Sequence, residues 1–103
     1  MNYTKEYFIQ KFEAIPDDKW ITGEYENKET GACCAAGHCG FQKDMLNPEI
    51  TALVKLFNIA EGKNTGTSAI FNVNDGGKLE SFNGVKLRKN SPKQNIINVL
   101  KSL

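Results

Sequence analysis

The 103-residue chain has no apolar run near the roughly 18 residues a membrane-spanning helix needs, so no membrane partner is expected. It has one histidine and three cysteines, and an odd cysteine count argues against a disulfide framework. The opening MNYTKEYFIQ carries Glu6 and lacks a cleavable apolar core, so no signal peptide is expected. The protein therefore reads as cytoplasmic, with its thiols kept reduced. Neither GxxxxGK nor GxGxxG occurs, and the glycines at 62, 66, 76, 77 and 84 are too scattered to cradle a phosphate. No cofactor is expected. Nor is there a net charge to draw the chain to nucleic acid: it is +1.

What the chain does have is enough apolar residue, 40%, to bury one core, and its length fits a single domain over residues 1–103. Residues 4–15 read as an amphipathic helix, with Phe8, Phe12 and Ile15 on one face, Thr4 or Asn2 as cap and Pro16 as the stop. WITGEY (20–25) reads as a short strand, and residues 32–39 as a compact helix opening near Thr30 or Gly31. Segment 47–61 has the strongest helix signature: Asn47 as cap, Pro48 at the first position, Glu49 at the positive end, and Gly62 as the stop. AIFNV (69–73) reads as a strand closed by the turn Asn74-Asp75-Gly76-Gly77. Further strands are expected around Lys78–Phe82 and over 85–88, across a turn at Asn83-Gly84. Ser91, Pro92 and Gln94 spell a capping box that opens a last helix. The sum is a small α+β domain of three to four helices with a small antiparallel sheet.

GACCAAGHCG, residues 31–40, collects every cysteine and the histidine. On a helix Cys34 and His38 share a face, with Cys33 beside it and Cys39 nearer Ala35. A thiol in a first turn has its pKa lowered by the helix N-terminus, and a nearby imidazole can take its proton. The catalytic candidates are thus Cys34, Cys33 and His38, with Asn74 or Asp75 to orient the base. Against this, a catalytic histidine is usually on an element far from the nucleophile, and 103 residues leave little room for a walled cleft. A metal would need a third ligand such as Asp44 or Asp75, and C-C-x3-H-C matches no common zinc spacing, so no metal ligands are assigned. The third reading is packing. Cysteine often serves as a small buried hydrophobe, and the surrounding Ala and Gly describe a segment lying close to a neighbour.

The candidate ligand-binding residues are Trp20, as a stacking platform, and the basic run Lys86, Arg88, Lys89 and Lys93 beside a helix start. Each has a plainer alternative: a core anchor for Trp20, a solvated face for the run. Charge is uneven along the chain, with four Lys against seven acids over residues 1–30 and seven Lys/Arg against three acids over residues 61–103.

The stretches Trp20-x-x-Gly23, Cys33-Cys34-Ala35-Ala36-Gly37, Ile70-x-x-Val73-Asn74-Asp75 and Ser91-Pro92-Lys93 leading to Val99–Leu100 carry a likeness. Together they resemble a family of small, functionally uncharacterised bacterial and bacteriophage proteins, over about residues 20–101. The chain departs from that pattern at Ala36 and Val73, where larger apolar residues and tryptophan are usual, and at His38. The resemblance implies a shared small fold with no assigned reaction, in a phage or mobile-element setting where small proteins bind a host protein or a signal molecule. The expected function is accordingly a binding protein acting through a protein or small-ligand surface, without catalysis. Its alternatives are a cysteine-dependent hydrolase or transferase using Cys34 with His38, and a small zinc-binding module.

Overall fold

A computed structural model describes residues 3–41, 47–62 and 66–103. Asn2 and Asp44, named above as a cap and a metal ligand, lie outside the described residues. Among the described residues the chain forms five helices and one two-stranded antiparallel sheet, an α+β domain.

Helix α1 (Lys5–Glu13) starts where Thr4 accepts a hydrogen bond from the Tyr7 amide at 3.2 Å, and it buries Phe8 and Phe12. A single 3-10 turn, Asp17–Lys19, delivers Trp20 to the core. Helix α2 (Ala35–His38) is one turn long. Helix α3 (Pro48–Glu61) follows its sequence signature: Asn47 Oδ1 accepts from the Ile50 amide at 2.9 Å, and Gly62 closes it in the left-handed region at φ 78°. Helix α5 (Pro92–Ser102) packs against α1 and α4 and buries Ile96, Ile97, Val99 and Leu100. It starts at the expected proline, but the capping box is not made. Ser91 makes no side-chain cap bond, and Gln94 Nε2 donates instead to Asn98 Oδ1 at 3.2 Å.

The sequence expectation is overturned at residues 69–73, which are not a strand. They lie in α4 (Ser68–Asp75), where Ala69, Ile70, Val73 and Asn74 form one fully buried face at helical spacing. The glycine taken for a hairpin turn is the helix terminator: Gly76 sits at φ 66° and its amide donates to Asn72 O. The sheet is smaller than expected, β1 (Ser81–Phe82) against β2 (Val85–Lys86), with Phe82 opposite Val85 across the Asn83-Gly84 turn. Both turn residues have positive φ, 50° and 79°, which matches the twist that two-residue hairpins require.

WITGEY is likewise not a strand. Within it only Trp20 makes a bridge, to Cys33, and Glu26 just beyond it makes another to the same residue. The helix expected over 32–39 is shortened for the same reason. Cys33 donates to Lys19 O and accepts from the Ile21 amide, while Cys34 donates to Tyr25 O and Ala32 O accepts from the Asn27 amide. Residues 32–34 are thereby held extended between two flanking segments, and helix can begin only at Ala35.

Gly76 carries the most stringent local constraint. A Cβ there would stand 2.3 Å from Arg88 O and 2.7 Å from Asn95 Nδ2, in a backbone conformation that side chains avoid. Gly76→Ala should destabilise the fold by at least about 2 kcal/mol. Gly77→Ala should move it by less than about 1 kcal/mol, since its nearest neighbour is the end of Lys89 at 3.9 Å. Urea midpoints of the two variants check this, and equal shifts would contradict it.

Candidate functional site

The end of α4 points two polar side chains at the extended segments. Asn74 is fully buried, and a buried amide must have its hydrogen-bonding capacity met. Its Oδ1 accepts from the Ala35 amide at 3.0 Å, and its Nδ2 donates to Ile21 O and to Asp75 Oδ1, each at 3.0 Å. Asp75 Oδ1 also accepts from the Gly23 amide at 3.2 Å. Two adjacent residues thus join the segment 21–23, the start of α2 and the end of α4. Asn74 is needed here because one amide both accepts and donates, which neither a carboxylate nor an aliphatic side chain does.

Cys34 occupies the N-cap position of α2, and its sulfur accepts from the Gly37 amide at 3.5 Å. Burial pushes its pKa up, against the Gly37 and Ala36 amides, which favour the thiolate; the negative charge of Asp75 adds to the rise. The thiol therefore stays protonated at neutral pH. Gly37 lets α2 lie against the backbone of Tyr25, since a Cβ at that position would meet Tyr25 O at 2.1 Å.

His38 is turned to other partners. Its Nε2 stands 2.8 Å from Lys19 O, so the Nε2–H donates there, and its ring packs on Trp20 with centroids 4.9 Å apart. Burial lowers its pKa, so the imidazole is held neutral. Spacing by four residues brings the His38 amide to the Cys34 carbonyl, as in any helix, but it does not bring imidazole to thiol. Cys33 and Cys39 are also buried and free of disulfides, and burial pushes the Cys39 pKa up to about 12. Among the described residues no three His, Cys, Asp or Glu side chains converge as a metal ion would require.

A pocket of about 450 Å³ opens where these segments meet, lined by Gly23, Glu24, Tyr25, Cys34, Phe71 and Asp75. Tyr25 and Phe71 stand 5.0 Å apart between ring centroids and tilted by 45°, and Phe41 backs both at 4.8 and 5.8 Å. Tyr25 is 42% exposed, so its ring is available at the mouth rather than spent in the core. Three of the sequence candidates, Cys34, Asn74 and Asp75, are brought together here, Asn74 as the clasp behind the wall.

The other candidates go elsewhere. Trp20 is 7% exposed and packs edge-on to Phe12 at 5.3 Å, with its Nε1 lacking a hydrogen-bond partner among the described residues. The basic run divides between places. Lys86 and Lys89 line an open groove with Gly76–Ser81, whereas Lys93 turns to Glu13 O at 3.2 Å and to Asp17 at 3.8 Å. Arg88 contributes its backbone, which makes paired hydrogen bonds of 3.0 and 2.8 Å with the buried amide of Asn95.

Sequence reasoning missed Gly23, Glu24, Tyr25 and Phe71. Only the α4 assignment, which the strand-like composition of AIFNV concealed, would have placed Phe71 one turn from Asp75.

No family model matches the chain, and no curated protein or solved structure matches it. Among the described residues no helix is long and apolar enough to cross a membrane.

Two expectations follow from the buried thiols and imidazole. In the native protein at pH 8, Cys34 and Cys39 should alkylate at least about a hundredfold more slowly than in urea, as read residue by residue by peptide mass spectrometry. Fast native labelling of Cys34 would mean an activated thiol. For His38 the folded pKa lies below the unfolded value of 6.5. The unfolded chain then binds the proton first, so stability is unaffected above that pH and falls as pH drops below it. His38→Gln, which keeps an N–H for Lys19 O, should flatten the fall in Tm between pH 6.5 and 5, and an unchanged slope would contradict the assignment.

Proposed function

We propose that this chain is a binding protein rather than an enzyme, and that it takes a small ligand in the pocket framed by Tyr25, Phe71, Cys34 and Asp75. The observation that carries the reading is the aromatic wall: a half-exposed tyrosine and a phenylalanine face a concavity of about 450 Å³, a volume within the range of small-molecule sites. Large aromatic rings at the mouth of a pocket offer apolar contact at little cost in conformational entropy. The buried Asn74 ties Ile21 and the start of α2 to α4 beside this wall, so little ordering is lost on binding.

The state of the thiol argues against catalysis. A nucleophilic cysteine needs a thiolate or an adjacent base, and Cys34 has neither: its pKa is raised, and the sole histidine donates to Lys19 O. In the pocket the thiol supplies soft apolar surface.

Saturation-transfer NMR with a mixture of aromatic fragments tests the proposal. Fragments should bind the wild-type chain, and Tyr25→Ala should weaken them by about five- to tenfold. Cys34→Ala and the remote Ile59→Ala should retain binding. The proposal fails if no fragment binds, if Tyr25→Ala leaves affinity unchanged, or if Cys34→Ala abolishes binding in a folded protein.

A further inference from the structure

The pocket's charge identifies the class of ligand, an inference that rests on the pocket's being a ligand site. Among the described residues its lining holds two carboxylates, Glu24 and Asp75, and no lysine, arginine or histidine. Lys86 and Lys89 lie in their own groove, and Lys93 turns to Glu13 O and Asp17. Asp75 is the last residue of α4, where the helix dipole places partial negative charge and a carboxylate is unfavourable. The local field therefore favours a cation in the pocket.

Geometry adds two recognition elements. Both hydrogen bonds of the Asp75 carboxylate fall on Oδ1, from Gly23 and from Asn74, and these fix its orientation. Among the described residues Oδ2 takes none, so it remains for an N–H donor of the ligand. In the same lining Tyr25 and Phe71 stand with ring centroids 5.0 Å apart and tilted by 45°. Aromatic faces attract an ammonium group within about 6 Å of the ring, most strongly where water is partly excluded.

We propose that the pocket binds a small organic ammonium ion with an apolar or aromatic body, its N–H donating to Asp75 Oδ2 and its body lying against Tyr25 and Phe71. Glu24 stands at the exposed turn and supplies longer-range attraction rather than a fixed bond. The thiol of Cys34 lines the same pocket and supplies polarisable surface.

The test is calorimetric titration of the full chain with three probes of matched size: 2-phenylethylammonium, 2-phenylethanol and phenylacetate. The ammonium should bind at least about tenfold tighter than the alcohol, and the carboxylate weakest, because a charge-assisted hydrogen bond adds to ring contact. Asp75→Asn keeps an oxygen acceptor for Gly23 and Asn74 but removes the charge. It should erase most of the ammonium's advantage while leaving the alcohol's affinity unchanged, which also certifies that the variant is folded. Glu24→Gln should cost the ammonium only about two- to threefold, as expected of an exposed charge. If the alcohol or the carboxylate binds as tightly as the ammonium, the ligand class is wrong and the pocket stands. If none of the three binds, the pocket reading falls and this inference with it.

Discussion

The fully buried side-chain amide of Asn74 makes three hydrogen bonds, one accepted at its oxygen and two donated from its nitrogen, to residues of separate segments. Ile21 O, the Ala35 amide and Asp75 Oδ1 converge on it within 3.0 Å. A buried polar group left without partners costs about 1–3 kcal/mol, so the three contacts stand or fall together. This satisfies the first amide of a one-turn helix that has no cooperative length of its own. It also sets the carboxylate of Asp75 at the rim of the pocket.

Close backbone approach completes the frame. Gly37 lets α2 touch the carbonyl of Tyr25, and Gly76 lets the end of α4 touch the carbonyl of Arg88, to which the Asn95 side chain of α5 also donates. Two buried asparagines thus do comparable work at neighbouring corners: each binds both kinds of backbone group in an irregular segment that no regular ladder serves. The apolar core beneath, built by α1, α4 and α5 around Phe8, Phe12, Ile70, Val73, Ile96 and Leu100, supplies the bulk of the stabilisation and the rigid support.

Much of the helical architecture was legible because its signals are local. Thr4, Asn47, Gly62 and Pro92 act within one turn of where they stand, and the apolar spacing of α1, α3 and α5 repeats over several turns. The β-rich composition of AIFNV followed by Asn-Asp-Gly-Gly imitated a hairpin, since a helix-terminating glycine and a turn glycine share the same left-handed backbone. The start of α2 was hidden for a different reason. Whether residues four apart meet depends on where the helix starts, and that is fixed by hydrogen bonds from Lys19, Ile21 and Tyr25, which local sequence does not announce. The pocket is less legible still, because Tyr25 and Phe71 meet only through tertiary packing.

The proposed recognition site rests on this clasp. Burial raises the Cys34 pKa, the imidazole of His38 is engaged with Lys19 O, and the proposed ligand meets an aromatic face and a carboxylate edge. The central claim is that Asn74 holds the start of α2, and native-state hydrogen exchange at the Ala35 amide tests it most directly. First-turn amides normally lack an intrahelical partner and exchange readily. The account predicts that Ala35 is protected close to the level of the α5 core amides, and that Asn74→Ala selectively abolishes this protection wherever the fold survives. Rapid exchange at Ala35 in the intact wild-type protein would contradict it.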